Sequence, residues 1–298
     1  MCTVNVLLST YNGEKYIKGL IDSVLAQKGV DVILSIRDDG STDRTIPIIR
    51  SYHDKRIKLF RGKNLKSAKS FLKLLREARE ADYYAYCDQD DVWEKYKLAH
   101  AVEKLKEYEK EPALYMSTYN VVDENLNFMY KRDMWFDTPL RLETTILFRA
   151  PSACTMVFNQ KLRNIIKLSN PKHVRMHDFW TLLVALGIKA KIVTEDISLM
   201  KYRIHGDNTV GLETGAIMRL KRLLHSVFYN KNERMLQAKC LYDNYSDLFD
   251  EDVKQILLEV ICYRDSLGNR LKFLKNKQFR WDWYINTMFK ISVLMGVF

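Results

Sequence analysis

Between Val4 and Thr118 the hydrophobic residues switch repeatedly between a strand period and a helix period, and this alternation restricts the fold more than any other feature. Val4–Leu8 is a β-branched and aliphatic run that reads as a buried strand. Ile17, Leu20, Ile21, Val24 and Leu25 then form one apolar helical stripe, with Asn12 available as its N-terminal cap. Val32–Ile36 reads as a second strand, Thr45–Tyr52 as a helix that Ser41 or Thr42 would start, and Arg56–Phe60 as a third strand. Ala68, Phe71, Leu72 and Leu75 mark the next helix, followed by a strand at Tyr83–Cys87. Leu98, Ala101, Val102 and Leu105 mark another helix before a strand at Ala113–Thr118. Such βαβ units need crossover connections. The expected fold class is therefore α/β: a mainly parallel sheet with flanking helices, and a ligand crevice beyond the carboxyl ends of the strands.

Composition narrows the classes further. With 47% hydrophobic residues, 29% charged and only 11 Gly and 5 Pro in 298 residues, the chain can bury a large core, which excludes disordered and collagen-like types. No apolar run approaches the ~18 residues of a membrane span, and no basic region precedes Val4–Leu8, so neither a spanning segment nor a secretory signal is expected. Cys2, Cys87, Cys154, Cys240 and Cys262 are scattered without paired spacing, as reduced thiols of a cytoplasmic protein would be. The net charge of +11 favours anionic partners without choosing among nucleic acid, anionic lipid and phosphorylated ligands. After residue 120 the pattern loosens to a strand at Cys154–Phe158 and a helix from Phe179 to about Leu186, started by Asp178. From Gly215 only helical patterns remain. Two units are expected: an α/β domain over 1–214 and a helical appendage over 215–298, with the boundary resting on Gly211 and Gly215.

The loops after strands carry the chemistry. Asp88-Gln89-Asp90 places two carboxylates one residue apart just past a hydrophobic strand, hard oxygen ligands for Mg²⁺ or Mn²⁺ that leave positions open for phosphate oxygens. The same acids would also serve as turn and cap residues for the helix that follows. Asp38-Asp39-Gly40-Ser41 is either a plain turn or a second acidic pair that accepts hydrogen bonds from a base or ribose. Thr10-Tyr11-Asn12-Gly13 can bring backbone groups and a flat ring against a base, although Asn-Gly is also an ordinary turn signal.

Taken in order, Val6–Glu14, Arg37–Asp43 and Cys87–Trp93 resemble the inverting family 2 glycosyltransferases of GT-A (Rossmann-like) fold, with coverage over about residues 3–211. Met176–Trp180 and Tyr202–Gly211 are similar to segments of the bacterial rhamnosyltransferase branch, which uses dTDP-L-rhamnose to build cell-wall or surface polysaccharide. The resemblance implies that Thr10, Tyr11, Asn12, Glu14, Asp39, Asp88 and Gln89 bind the nucleotide sugar, with Thr10, Tyr11 and Asp39 on the base and Asp88 on the ribose and metal side. It implies a Mn²⁺ or Mg²⁺ cofactor held by Asp90, and His205 as a further metal or diphosphate contact. Asp178 would be the general base, taking the proton of the acceptor hydroxyl; its bland alternative is a helix cap. His177 is adjacent, but neighbouring side chains point apart, so one residue of the two is expected at the reaction centre.

The chain departs from the family pattern in two places. Ala153 stands where glycine is usual, adding a methyl near the sugar site, and the Gln-x-x-Arg-Trp signature of processive synthases is missing, which favours single additions. In the tail, Arg270, Lys272, Lys275, Lys277 and Arg280 precede Trp281-Asp282-Trp283-Tyr284 and the apolar stretch Ile285–Phe298. That pattern suits peripheral contact with the inner face of an anionic membrane, where a lipid-linked glycan acceptor would lie. It equally suits packing on the catalytic domain or in a homodimer. Two other functions compete: the same chemistry with a UDP-hexose donor, and a basic nucleic-acid-binding module prompted by the charge and 17 tyrosines. Asp38, Asp39, Asp88, Asp90 and Asp91 on the crevice would repel a phosphate backbone, so no nucleic-acid partner is expected.

Overall fold

The computed structural model describes residues 1–134, 140–148, 153–206, 232–279, 290 and 292–296. The first strands are β1 (Thr3–Thr10), β2 (Asp31–Asp38), β3 (Ile57–Arg61) and β4 (Tyr83–Cys87), joined through helices α1 (Ile17–Leu25), α2 (Thr45–Arg50) and α3 (Ser67–Glu77). Then come β5 (Val92–Trp93), α4 (Lys97–Leu105), β6 (Ala113–Val122), β7 (Phe128–Lys131), α5 (Leu142–Phe148), β8 (Val157–Asn159), α6 (Gln160–Ile166), α7 (His177–Gly187) and β9 (Lys191–Arg203). Among the described residues these strands form one sheet, ordered β3-β2-β1-β4-β8-β6-β9-β5, with β7 on β6.

The α/β class and the parallel half follow the sequence pattern. β1, β2, β3 and β4 run parallel, and β6 and β9 pair in parallel further along. The sheet is nonetheless mixed, because β8 lies antiparallel between β4 and β6, and β5 and β7 are antiparallel to their neighbours. Strand alternation divides the core. On one face Val6, Leu8, Ala85 and Cys87 pack with Ile17, Leu20, Ile21 and Val24 of α1 and Leu98, Ala101 and Val102 of α4. On the other face Leu7, Tyr84 and Tyr86 pack with Phe71, Leu72 and Leu75 of α3 and Trp180 and Leu183 of α7. Full burial of each Val, Leu, Ile or Phe among these stabilises the fold by about 1.5–3 kcal/mol relative to exposure.

Helix starts differ from the expectations. Asn12 does not cap α1; it adopts φ 49°, a left-handed conformation Asn tolerates, while Tyr16 and Ile17 donate to the Gly13 carbonyl at 3.1 and 3.0 Å. α2 is started by neither Ser41 nor Thr42: the Asp43 carboxylate accepts the Thr45 N–H at 3.0 Å. α7 begins at His177, so Asp178 lies inside its first turn rather than at the cap. The strand expected at Cys154–Phe158 is shorter, Val157–Asn159, preceded by a 3-10 turn over Ala153–Thr155. The expected boundary at Gly211 and Gly215 lies outside the described residues. Among the described residues the helices Glu233–Tyr245, Glu251–Cys262 and Leu267–Lys275 follow. Ala238, Leu241, Tyr245, Phe249, Val253 and Leu257 from this segment share the hydrophobic cluster of α3 and α7. Among the described residues no helix is long and apolar enough to cross a membrane.

Candidate functional site

The strand register brings the three sequence loops to one edge. Thr10 at the end of β1 pairs with Asp38 at the end of β2, and Leu8 pairs with Cys87 at the end of β4. Strand order reverses between β1 and β4, the position where open α/β sheets form a ligand crevice. The loops are tied to one another. Gln89 Oε1 accepts from Thr10 Oγ1 at 2.7 Å and from the Tyr11 N–H at 3.0 Å. Asn12 Oδ1 accepts the Thr42 N–H at 2.9 Å, and Glu14 Oε2 accepts the Arg44 N–H at 2.8 Å. Gln89, Asn12 and Glu14 therefore spend these polar atoms on cross-linking loops, while the Tyr11 ring is exposed. Gly13 is needed for the closure, since a Cβ there would meet Gln89 Oε1 at 2.6 Å.

Behind this edge lies the acidic pair of the second loop. Asp38 Oδ1 accepts the N–H groups of Gly40 and Ser41 at 3.2 and 3.1 Å, which makes it the turn former. Asp39, 3% exposed, accepts the Leu65 N–H through both oxygens and is ion-paired with buried Arg37.

The third loop meets β9. β5 pairs antiparallel with β9, Val92 opposite Lys201, and continuing that register sets Asp90 opposite Arg203. Arg203 Nε donates to the Asp90 carbonyl at 3.0 Å, and Asp90 Oδ2 lies 2.7 Å from His205 Nε2. The Tyr16 ring lies against both: its centroid is 4.7 Å from the His205 ring and 4.7 Å from the Arg203 guanidinium carbon. Arg203 and Tyr16 were not singled out from sequence. The signal was the alternation Arg203-Ile204-His205 at a strand end, which puts 203 and 205 on one face.

Asp178 sits in the first turn of α7, 7% exposed. Its Oδ2 accepts the Ala153 N–H at 3.0 Å and its Oδ1 the Phe179 N–H at 2.7 Å. Burial outweighs these bonds and pushes its carboxyl up to about 6. Asp88 is half-buried; burial, then the charges of Asp90 and Asp178, raise its carboxyl above the usual range, so Asp88, Asp90 and Asp178 are electrostatic neighbours. His177 turns away. Its ring stacks on Phe71 at 3.8 Å in the core, and burial lowers its pKa to about 3.

Two ligand sets at this rim can be weighed for a hard divalent cation. Asp88, Asp91 and Cys154 have ligand atoms within 4.8 Å of one another, but the buried Cys154 thiol is held well above its usual pKa and Lys97 acts on the same cluster as a positive charge. A neutral thiol beside an ammonium is a poor Mg²⁺ or Mn²⁺ site. The converging carboxylate of Asp90 and imidazole of His205, with Asp88 beside them, fit such an ion better. The remaining resemblance segment, Asp207–Gly211, lies outside the described residues.

Comparison with known proteins agrees with this architecture. The sequence pattern of Glycosyl transferase family 2 matches residues 5–166. The chain is 25% identical over 233 residues to the dTDP-rhamnosyl transferase RfbG of Shigella flexneri, covering 72% of this chain and 78% of that protein. It is 22% identical over 246 residues to the UDP-Glc:alpha-D-GlcNAc-diphosphoundecaprenol beta-1,3-glucosyltransferase WfaP of Escherichia coli, covering 80% of this chain and 91% of that protein. Among solved structures, S. aureus TarS 1-349 in complex with UDP superposes with a TM-score of 0.60 at 21% identity, over 92% of this chain and 75% of that one. The mannosyltransferase PcManGT of Pyrobaculum calidifontis, in complex with GDP-Man and Mn²⁺, superposes with a TM-score of 0.54 at 15% identity, over 99% of this chain and 85% of that one. With more than half its length matched and its acidic loops gathered at one sheet edge, the chain belongs to Glycosyl transferase family 2.

Proposed function

We propose that this glycosyltransferase is inverting, metal-dependent and non-processive, and that it transfers L-rhamnose from dTDP-L-rhamnose to a lipid-linked cell-wall or surface polysaccharide precursor. One observation carries the chemistry: Asp178 is mounted on the first turn of α7 beside Asp88, with a carboxyl raised to about 6. A base whose pKa lies near neutrality takes a hydroxyl proton at a cost its ionised form can meet, typically contributing ~10²–10⁴-fold to rate. The acceptor oxygen gives its proton to Asp178 and attacks the anomeric carbon while the bond from that carbon to the diphosphate oxygen breaks on the opposite face. A single displacement inverts the centre.

Thr10, Tyr11 and Asp39 would hold the base and Asp88 the ribose side, with Asn12, Glu14 and Gln89 keeping these loops in register. Asp90 and His205 would hold Mn²⁺ or Mg²⁺, which when bound neutralises charge on the departing diphosphate. Likeness to RfbG supports the rhamnosyl donor. Likeness to WfaP, whose name carries UDP-Glc and a diphosphoundecaprenol acceptor, supports the lipid-linked acceptor and keeps a UDP-hexose donor as the second reading. Transfer assays over a panel of nucleotide sugars decide between them. The rhamnosyl reading expects fastest turnover of dTDP-rhamnose, and faster turnover of UDP-glucose overturns it. A thermal-shift screen of nucleoside diphosphates with and without Mn²⁺ tests the cation: Asp90→Asn removes the cation-dependent part of the shift.

The reading places the protein at the inner face of a bacterial membrane. The helix Leu267–Lys275 leaves Leu267 and Leu271 exposed at 72% and 51%, with Arg270, Lys272 and Lys275 on the same helix. Exposed leucines beside basic residues suit an anionic leaflet, at about 1 kcal/mol per basic residue near the surface. Flotation on vesicles containing phosphatidylglycerol is expected, weakened in Leu267→Glu/Leu271→Glu; binding that ignores anionic lipid counts against it, and a homodimer through this face would show in sedimentation instead.

A further inference from the structure

A buried guanidinium holds together the wall of the crevice on the base side, and the transfer chemistry makes no use of it. Arg37, 2% exposed on β2, donates from Nη1 to the Asp39 carboxylate and to Ser70 Oγ at 2.8 Å, and from Nη2 to the Lys63 carbonyl at 3.0 Å. Ser70 Oγ is in turn 2.5 Å from Ser9 Oγ at the end of β1. One fork thus joins β1, β2, α3 and the segment 62–66. That segment is clamped again from the other side, where Asp39 accepts the Leu65 N–H at 3.0 and 2.8 Å. Gly62 makes room for the fork, since a Cβ there would lie 2.6 Å from Arg37 Nη2. Lys66 closes the segment with φ 66° and ψ 159°, a region occupied almost only by glycine, and such a conformation persists only where its surroundings over-determine it.

We infer that Arg37 is a positioning residue that sets nucleobase selectivity. Two N–H donors aimed at Asp39, from Arg37 and Leu65, hold its carboxylate oxygens, hydrogen-bond acceptors, at a fixed place against the segment 62–66. An acceptor so placed pairs with a base that presents a ring N–H between two carbonyls, the imide edge of uracil or thymine. It opposes a base that presents a bare ring nitrogen there, as cytosine does. Sites built to hydrogen-bond one partner reject the mismatched analogue strongly, because their own buried polar group is left unpaired. This inference rests on the reading of Asp39 as the base contact.

The test is calorimetric titration of UDP, dTDP, CDP and inorganic pyrophosphate, each with Mn²⁺, into wild type, Arg37→Met, Arg37→Lys and Ser70→Ala. Wild type is expected to prefer UDP or dTDP to CDP by about 100-fold or more. In Arg37→Met the preference falls below about tenfold while pyrophosphate binding is unchanged. Arg37→Lys, which keeps the charge and loses the planar fork, gives an intermediate ratio, and Ser70→Ala a smaller loss in the same direction. Removing one partner of a buried ion pair can unfold a chain, so if Arg37→Met melts, the Lys and Ser70 variants decide. Wild-type selectivity in the folded Arg37 variants overturns the inference. Wild type that binds neither UDP nor dTDP refutes the nucleotide reading itself, and wild type that binds all three alike refutes Asp39 as base contact.

Discussion

His177 and Asp178 are adjacent and meet opposite environments, because successive residues on the first turn of α7 face different sides. Asp178 reaches the crevice rim and His177 the apolar core, where both ring nitrogens are buried without a hydrogen-bond partner. His177→Phe should keep turnover and gain about 1 kcal/mol in urea unfolding, since an unsatisfied buried polar group is removed. Asp178→Asn should lower kcat by ~10²–10⁴ while leaving the nucleotide-dependent melting shift intact. In wild type, kcat/KM should show an acidic limb near pH 6, the pKa to which burial raises Asp178, and Asp178→Asn should lack it. The stability sign follows from the same shift. A carboxyl whose folded pKa is raised contributes stability below its unfolded pKa and loses it as pH rises through the folded value of about 6. Melting curves of Asp178→Asn should therefore match wild type near pH 4 and rise above it at pH 8, by up to ~3 kcal/mol. Sequence placed Asp178, Asp88 and Asp90 as candidates, but the division of labour between residues 177 and 178 depended on the helix beginning at His177.

At the scale of elements, the strands with continuous apolar runs and the half-buried β3 were legible, while β5, β7 and β9 were not. β1, β2 and β4 announce themselves through continuous apolar runs. β9 runs 13 residues but is mostly half-buried, carries Lys191, Glu195, Asp196, Lys201 and Arg203, and breaks register against β6, so no period-2 pattern survives. β5 has two residues, too short for any period. Yet the β5–β9 pairing is what brings Asp90 to His205. Beside β8, which lies between β4 and β6, a single side chain ties several segments together. Asn159 Oδ1 accepts the N–H groups of Leu162 and Ala113 at 3.1 Å each, and its Nδ2 donates to the carbonyls of Tyr108 and Glu111 at 3.2 and 2.8 Å. Asn159→Ala should cost about 2–4 kcal/mol in chemical denaturation, combining a lost helix cap with buried groups left unpaired. Asn159→Asp keeps the acceptor for Leu162 and Ala113 but sets a carboxylate oxygen against the Tyr108 and Glu111 carbonyls, and should not recover the lost stability.

Across the whole molecule, the C-terminal helices share the hydrophobic cluster of α7, with Tyr245 against the Trp180 ring. Gly187 at the end of α7 lies so close to Phe249 that a Cβ would meet its ring at 2.7 Å. Gly187→Ala should therefore destabilise by about 1–3 kcal/mol, read as a lowered melting temperature, through overpacking of that contact. Truncation after residue 231 would uncover Trp180 and Gly187 of α7, which lie against Tyr245 and Phe249, and should abolish the cooperative melt of the catalytic part. The division into units at 1–214 and 215–298 is tested by the same deletion, since an independent catalytic domain would melt unchanged. The sequence alone determined the α/β class, the parallel β1–β4 half and the acidic loops after its strands, because burial on both faces and the return of each crossover are local patterns written in hydrophobic period. Only the tertiary structure decided which half-buried strands close the far side of the sheet, which loop polar atoms are spent on one another, and that Arg37, Tyr16 and Arg203 support the crevice. These depend on pairing between segments 30–115 residues apart, or on the environment into which a side chain is buried, and neither leaves a repeating signal in the chain.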